Sequence, residues 1–133
     1  VNYPASWYEF KNSQPSGKVL FLPWHQYMSY DFTRGIIANP APRFFDNLEA
    51  VHGTDAEFGG IADSTATNDS KFVNQNLKNK ELPQKLAERN IQYVMVSNGY
   101  KYQDYDYLFN YQDFSVIFQK PGLTVYKNGA YNE

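Results

Sequence analysis

The chain has 133 residues, a formal net charge of −2 and no cysteine, so it can bury one sizeable core and holds neither disulfides nor thiolate metal sites. Acids and bases are mixed along it, which gives no electrostatic footprint for nucleic acid or anionic lipid, and no apolar run approaches the ~20 residues of a membrane-spanning helix. Aromatic residues make up 18%, led by 12 Tyr and 10 Phe, a composition that serves a ring-rich core or a surface suited to sugars and proteins.

Residues 3–14 read as a short amphipathic helix, with Pro4 suited to the first turn and Tyr3, Trp7 and Phe10 recurring at i, i+4 and i+7. The turn-forming cluster Asn12 to Gly17 stops it. Val19-Leu20-Phe21-Leu22 is a continuous apolar run too short for an independent helix, which predicts a strand covered on both faces and ended by Pro23. From Trp24 to Tyr30 the rings follow neither period, so a structured loop or short helix is expected, and Phe32 to Ile37 is read as a second short strand. Asn39 to Pro42 is expected to be extended or turning, because a residue before proline is pushed out of the helical region. Phe44 and Phe45 should return this loop to the core, and Asp46 to Ser70, weakly patterned and polar, reads as the mobile segment.

Asp69 or Ser70 can cap a helix carrying Phe72, Val73 and Leu77, and Pro83 opens another with Leu82, Leu86 and Ile91, stopped at Asn90. Ile91 to Val96 is a second apolar strand. Because a helical crossover separates it from the first, Val19 to Leu22 and Tyr93 to Val96 should lie parallel in one sheet. Asp104 to Tyr111 predicts a helix, and the segments Phe114 to Gln119 and Leu123 to Lys127, joined by Lys120-Pro121-Gly122, predict a hairpin. The expectation is a single α/β domain over residues 1–133, with a mixed, partly parallel sheet flanked by helices and a C-terminal β-hairpin. The opening Val1-Asn2-Tyr3-Pro4, without an initiator Met, is read as the start of an excised domain or a processed protein, with a domain of a larger membrane protein expected.

Ligands of open α/β sheets lie at the carboxyl ends of parallel strands. That edge should gather Trp24, His25, Gln26 and Tyr27 after the first strand, and Ser97, Asn98, Tyr100 and Tyr102 after the later one. Rings beside amide and imidazole groups would suit a carbohydrate, whose apolar CH faces stack while its hydroxyls are hydrogen-bonded. The opposing reading is a loop locked by its own polar side chains. His25 and His52 are the two histidines and neither has a metal-ligand spacing, so no metal or cofactor is expected. A Ser-His-Asp set from Ser29 or Ser97, His25 and Asp31 lacks the Gly-x-Ser-x-Gly elbow. Asp104-Tyr105-Asp106 has the spacing with which many sugar transferases hold a divalent cation, but helix-start acids account for it more simply.

Tyr-Pro-x-Ser-Trp at 3–7, Gly-Lys-Val-Leu-Phe-Leu-Pro-Trp-His-x-Tyr at 17–27, Asn39-Pro40-Ala41 with Phe44-Phe45, and Asn90 to Val96 together carry a resemblance. The chain resembles the soluble extracytoplasmic domain of multi-spanning bacterial membrane proteins that are themselves similar to polyprenyl-phosphate-sugar-dependent glycosyltransferases of cell-envelope assembly. The resemblance carries over no catalytic residue. It implies an accessory domain on the outer face of the bacterial cytoplasmic membrane, attached to the transmembrane region of the same parent chain. Its ligand would be a glycan, a lipid-linked sugar or a protein partner, with no nucleic acid and no disulfide-linked partner. Two alternatives stand beside this: a free-standing small hydrolase or glycosyltransferase using His25, and a protein-interaction module without a small ligand.

Overall fold

The strand β1, Gly17–Leu22, alternates its side chains between two separate cores. Leu20 and Leu22 join Val73, Leu82, Leu86 and Leu108 on one face of the sheet, while Val19 and Phe21 join Trp7, Phe10, Phe44 and Phe45 on the other. A strand clamped between two layers must be apolar at every position, which is why Val19 to Leu22 shows no polar alternation. The computed structural model describes residues 3–24, 27–29, 36–53, 68–97 and 102–132. The expectations for the mobile segment at 54–67 and for the first residues of the strand beginning at Phe32 fall outside them.

In chain order the elements are α1 (Ala5–Asn12), β1, β2 (Tyr27–Ser29), β3 (Ile36–Ala38), α2 (Ala41–Phe44), β4 (Leu48–Val51), α3 (Asn68–Asn76), α4 (Leu82–Glu88), β5 (Ile91–Ser97), a 3-10 helix (Tyr102–Asn110), β6 (Phe114–Lys120) and β7 (Leu123–Asn128). Five strands form one mixed sheet in the order β4-β1-β5-β7-β6. β1 pairs in parallel with both β4 and β5, whereas β7 runs antiparallel to β5 and β6. The expected parallel register is present: Leu20 lies beside Val94 and Leu22 beside Val96, all four buried. The chain is thus an α/β domain with helices on both faces of a partly parallel sheet, closed by the β6–β7 hairpin. At that hairpin Gly122 has φ +93°, and a Cβ there would stand 3.1 Å from Pro4 and 3.2 Å from the Ser6 hydroxyl. Only glycine combines that backbone with such a close approach of α1.

Several elements refine or depart from the sequence expectation. Of the extended and turning alternatives for Asn39 to Pro42 the chain turns, entering the helical turn Ala41–Phe44: the Asn39 side-chain carbonyl accepts the Ala41 N–H at 3.0 Å, and prolines in the first turn lose no helical hydrogen bond. β4 is a strand inside the region read as loop; it has four residues and an exposed Glu49, so a half-covered edge strand leaves little apolar signal. The Trp24 to Tyr30 stretch contains β2, which pairs antiparallel with β3 in a separate ribbon. Asp69 lies within the first turn of α3 and pairs with Lys18 of β1 and, at 3.8 Å, with Arg89 after α4. It ties the helical layer to the sheet. Asn90 does end its helix, taking φ +63°, a left-handed conformation that Asn tolerates better than most residues.

Candidate functional site

β4, β1 and β5 are parallel neighbours, so their carboxyl ends at Val51, Leu22 and Ser97 share one edge of the sheet. After β1 the chain passes through α2, whose Ala41 and Phe44 lie on the face with α1; after β4 it passes through α3 and α4 on the other face. Adjacent strands whose connections serve opposite faces create the crevice where open α/β sheets hold ligands. His52 comes directly after β4 and is half-buried there. Its Nδ1 lies 2.9 Å from the Gly53 carbonyl oxygen, and since that oxygen can only accept, Nδ1 is the donor. Sequence reasoning does not bring His52 to this edge, because the short strand that delivers it reads as loop.

Trp24 stands at the end of β1, but as a core group. It is 8% exposed; its backbone N–H donates to the Tyr105 hydroxyl at 2.8 Å, and its indole N–H donates to the Asn74 side-chain carbonyl at 3.0 Å. The expected open stacking platform at Trp24 is therefore a buried joint between β1, α3 and the 3-10 helix. Burial pushes the Tyr105 phenol up, against the opposing effect of the Trp24 hydrogen bond. Tyr27 begins β2, its backbone paired with Ala38. His25, Gln26, Asn98 and Tyr100 lie outside the described residues.

The segment expected to be a helix from Asp104 to Tyr111 is a 3-10 helix of nine residues. With three residues per turn, side chains three apart eclipse and form rows. Tyr105 and Leu108 make the buried row. Tyr107 is half-buried on a second row, donating its hydroxyl to the Leu77 carbonyl at 2.7 Å, and burial raises its pKa strongly. Asp106 and exposed Phe109 make the third row, above a cleft of about 210 Å³ floored by Val96, Thr124 and Tyr126. Val96 pairs with Thr124, so this cleft opens at the carboxyl end of β5. The same geometry sets Asp104 and Asp106 about 120° apart around the axis. The pair does not form a shared carboxylate clamp, and Asp106 is a cleft residue rather than a helix-start acid.

Among the described residues no group of three or more His, Asp or Glu side chains could hold a metal ion, and no helix is long and apolar enough to cross a membrane. Compared with protein-family models, curated proteins and solved structures, the chain matches none.

Proposed function

We propose that this chain is a non-catalytic recognition domain of a membrane-embedded bacterial cell-envelope protein, working on the outer face of the cytoplasmic membrane. Its ligand is a glycan or lipid-linked sugar, met at the carboxyl edge of β4, β1 and β5, with the transmembrane region of the same parent chain as its neighbour. The observation that supports it most is that the connections leaving β1 and β4 serve opposite faces of the sheet, the topology at which open α/β sheets hold ligands. The buried joint of Trp24 with Tyr105 and Asn74 gives that edge of the sheet a fixed wall. A recognition site needs such a wall, because ordering a floppy surface subtracts from affinity. The resemblance carried by residues 3–7, 17–27, 39–41, 44–45 and 90–96 supports the cellular setting.

The rival reading makes His25 a catalytic base. A screen of esterase, glycosidase and sugar-transfer substrates, with and without divalent cations, separates the two. No turnover is expected; turnover abolished by His25→Ala in a protein that still melts cooperatively would overturn the recognition reading.

A further inference from the structure

The cleft beneath the 3-10 helix has a chemistry that the β1 and β4 edge lacks. Its floor is buried and largely apolar, at Val96, Thr124 and Tyr126. Its rim holds Asp106 and Phe109, and Gln119 closes the hairpin side. Asp106 is the one charged residue of the lining, and among the described residues its carboxylate forms no ion pair. The carboxylate is close enough to Tyr126 to add to the burial that pushes that phenol up to about 12. Tyr126 is therefore a neutral ring with a protonated hydroxyl at ordinary pH.

Two rings meet at this point. Phe109 and Tyr126 have centroids 5.5 Å apart at 71°, and Phe109 is 58% exposed. An exposed phenylalanine gains little from the core, and the 3-10 repeat fixes it in the same row as Asp106, three residues earlier. A carboxylate beside aromatic rings attracts a cation twice, through its charge and through the negative ring faces. An anionic ligand would be repelled by Asp106. At about 210 Å³ the cleft is below the usual range for a whole drug-sized ligand, roughly 300 to 1,000 Å³, and matches a compact headgroup.

We infer that this cleft binds an alkylammonium group, the cationic end of a small amine or quaternary ammonium compound. The inference rests on the reading of the chain as a recognition domain and adds a ligand class to it. Because its probes are ammonium ions and not sugars, its failure would leave glycan recognition at the β1 and β4 edge standing.

The test is a nuclear magnetic resonance titration of the isotope-labelled chain with choline, with ethanolamine, and with the neutral alcohol in which carbon replaces the choline nitrogen. The ammonium compounds should shift Val96, Phe109 and Thr124, and the neutral isostere should bind about tenfold more weakly. Asp106→Asn should narrow the tenfold preference to the few-fold share that the ring faces supply while the thermal melt stays unchanged, since Asp106 is exposed and makes no ion pair among the described residues. Phe109→Leu, which keeps an apolar side chain, should weaken choline several-fold. Tighter binding of choline assigns a quaternary group, and tighter binding of ethanolamine assigns a primary amine; either result supports the inference. No shift in this cleft up to about 0.1 M titrant, equal binding of the isostere, or an Asp106→Asn variant that keeps the full tenfold preference for the cation would overturn it.

Discussion

The backbone N–H of Trp24 donates to the phenol oxygen of Tyr105 at 2.8 Å, a buried bond between residues 81 apart in the chain. It fixes the end of the central strand to the 3-10 helix that roofs the cleft. Tyr105→Phe keeps the ring and removes the acceptor, leaving a buried N–H without its partner. Such a loss costs about 1 to 3 kcal/mol, and denaturant unfolding should read a destabilisation in that range. A change below about 0.5 kcal/mol would mean that water replaces the phenol freely.

Leu20 is fully buried between β4 and β5, beside Val51 and Val94. Truncating it leaves a cavity under α3 and α4, so Leu20→Ala should destabilise by about 2 to 5 kcal/mol. A loss below about 1 kcal/mol in denaturant melts would show that β1 is not the central strand.

The Ser97 hydroxyl is buried at the end of β5 with no hydrogen-bond partner among the described residues. Removing an unpaired polar group relieves a desolvation cost, so Ser97→Ala should be neutral or stabilising by up to about 1 kcal/mol. Destabilisation of more than about 1 kcal/mol would reveal a partner for that oxygen.

Burial pushes up the phenols of Tyr105, Tyr107, Tyr111 and Tyr126, with Tyr126 at about 12. A phenol whose folded pKa exceeds its unfolded value of about 10 keeps its proton longer in the folded state. Its contribution to stability is therefore intact below about pH 10 and is lost as pH rises toward its folded value. Ultraviolet titration should show these phenols ionising late, and melts should show stability falling as pH rises above about 10. Uniform titration of every tyrosine near 10 in a folded protein would contradict the buried placement.

How much of the fold is legible in the residues depends on how far each element is determined by its own stretch of chain. The parallel pair β1 and β5 is legible because strands buried on both faces are apolar throughout, as Leu20, Leu22, Val94 and Val96 are. β4 escapes because an edge strand of four residues with Glu49 exposed looks like loop. His52 goes unplaced with it. Trp24 reads as a surface ring because no local pattern distinguishes a wet indole from a buried one. Its partners, Asn74 and Tyr105, are 50 and 81 residues away. Nine residues are also too few to tell a period of 3.0 from 3.6, so the row that joins Asp106 to Phe109 stays hidden until the backbone is seen.

The central claim is recognition at the carboxyl edge of β4, β1 and β5, and chemical-shift mapping of the chain with cell-envelope oligosaccharides tests it most directly. The account predicts perturbations at the carboxyl ends of these strands and in the residues just beyond, at Trp24, Tyr27, His52 and Ser97, with modest affinity because an open edge leaves much of a sugar in water. Shifts confined to the opposite edge, around Lys11, Asp46, Ile91 and Asn128, or none at millimolar oligosaccharide, would contradict it.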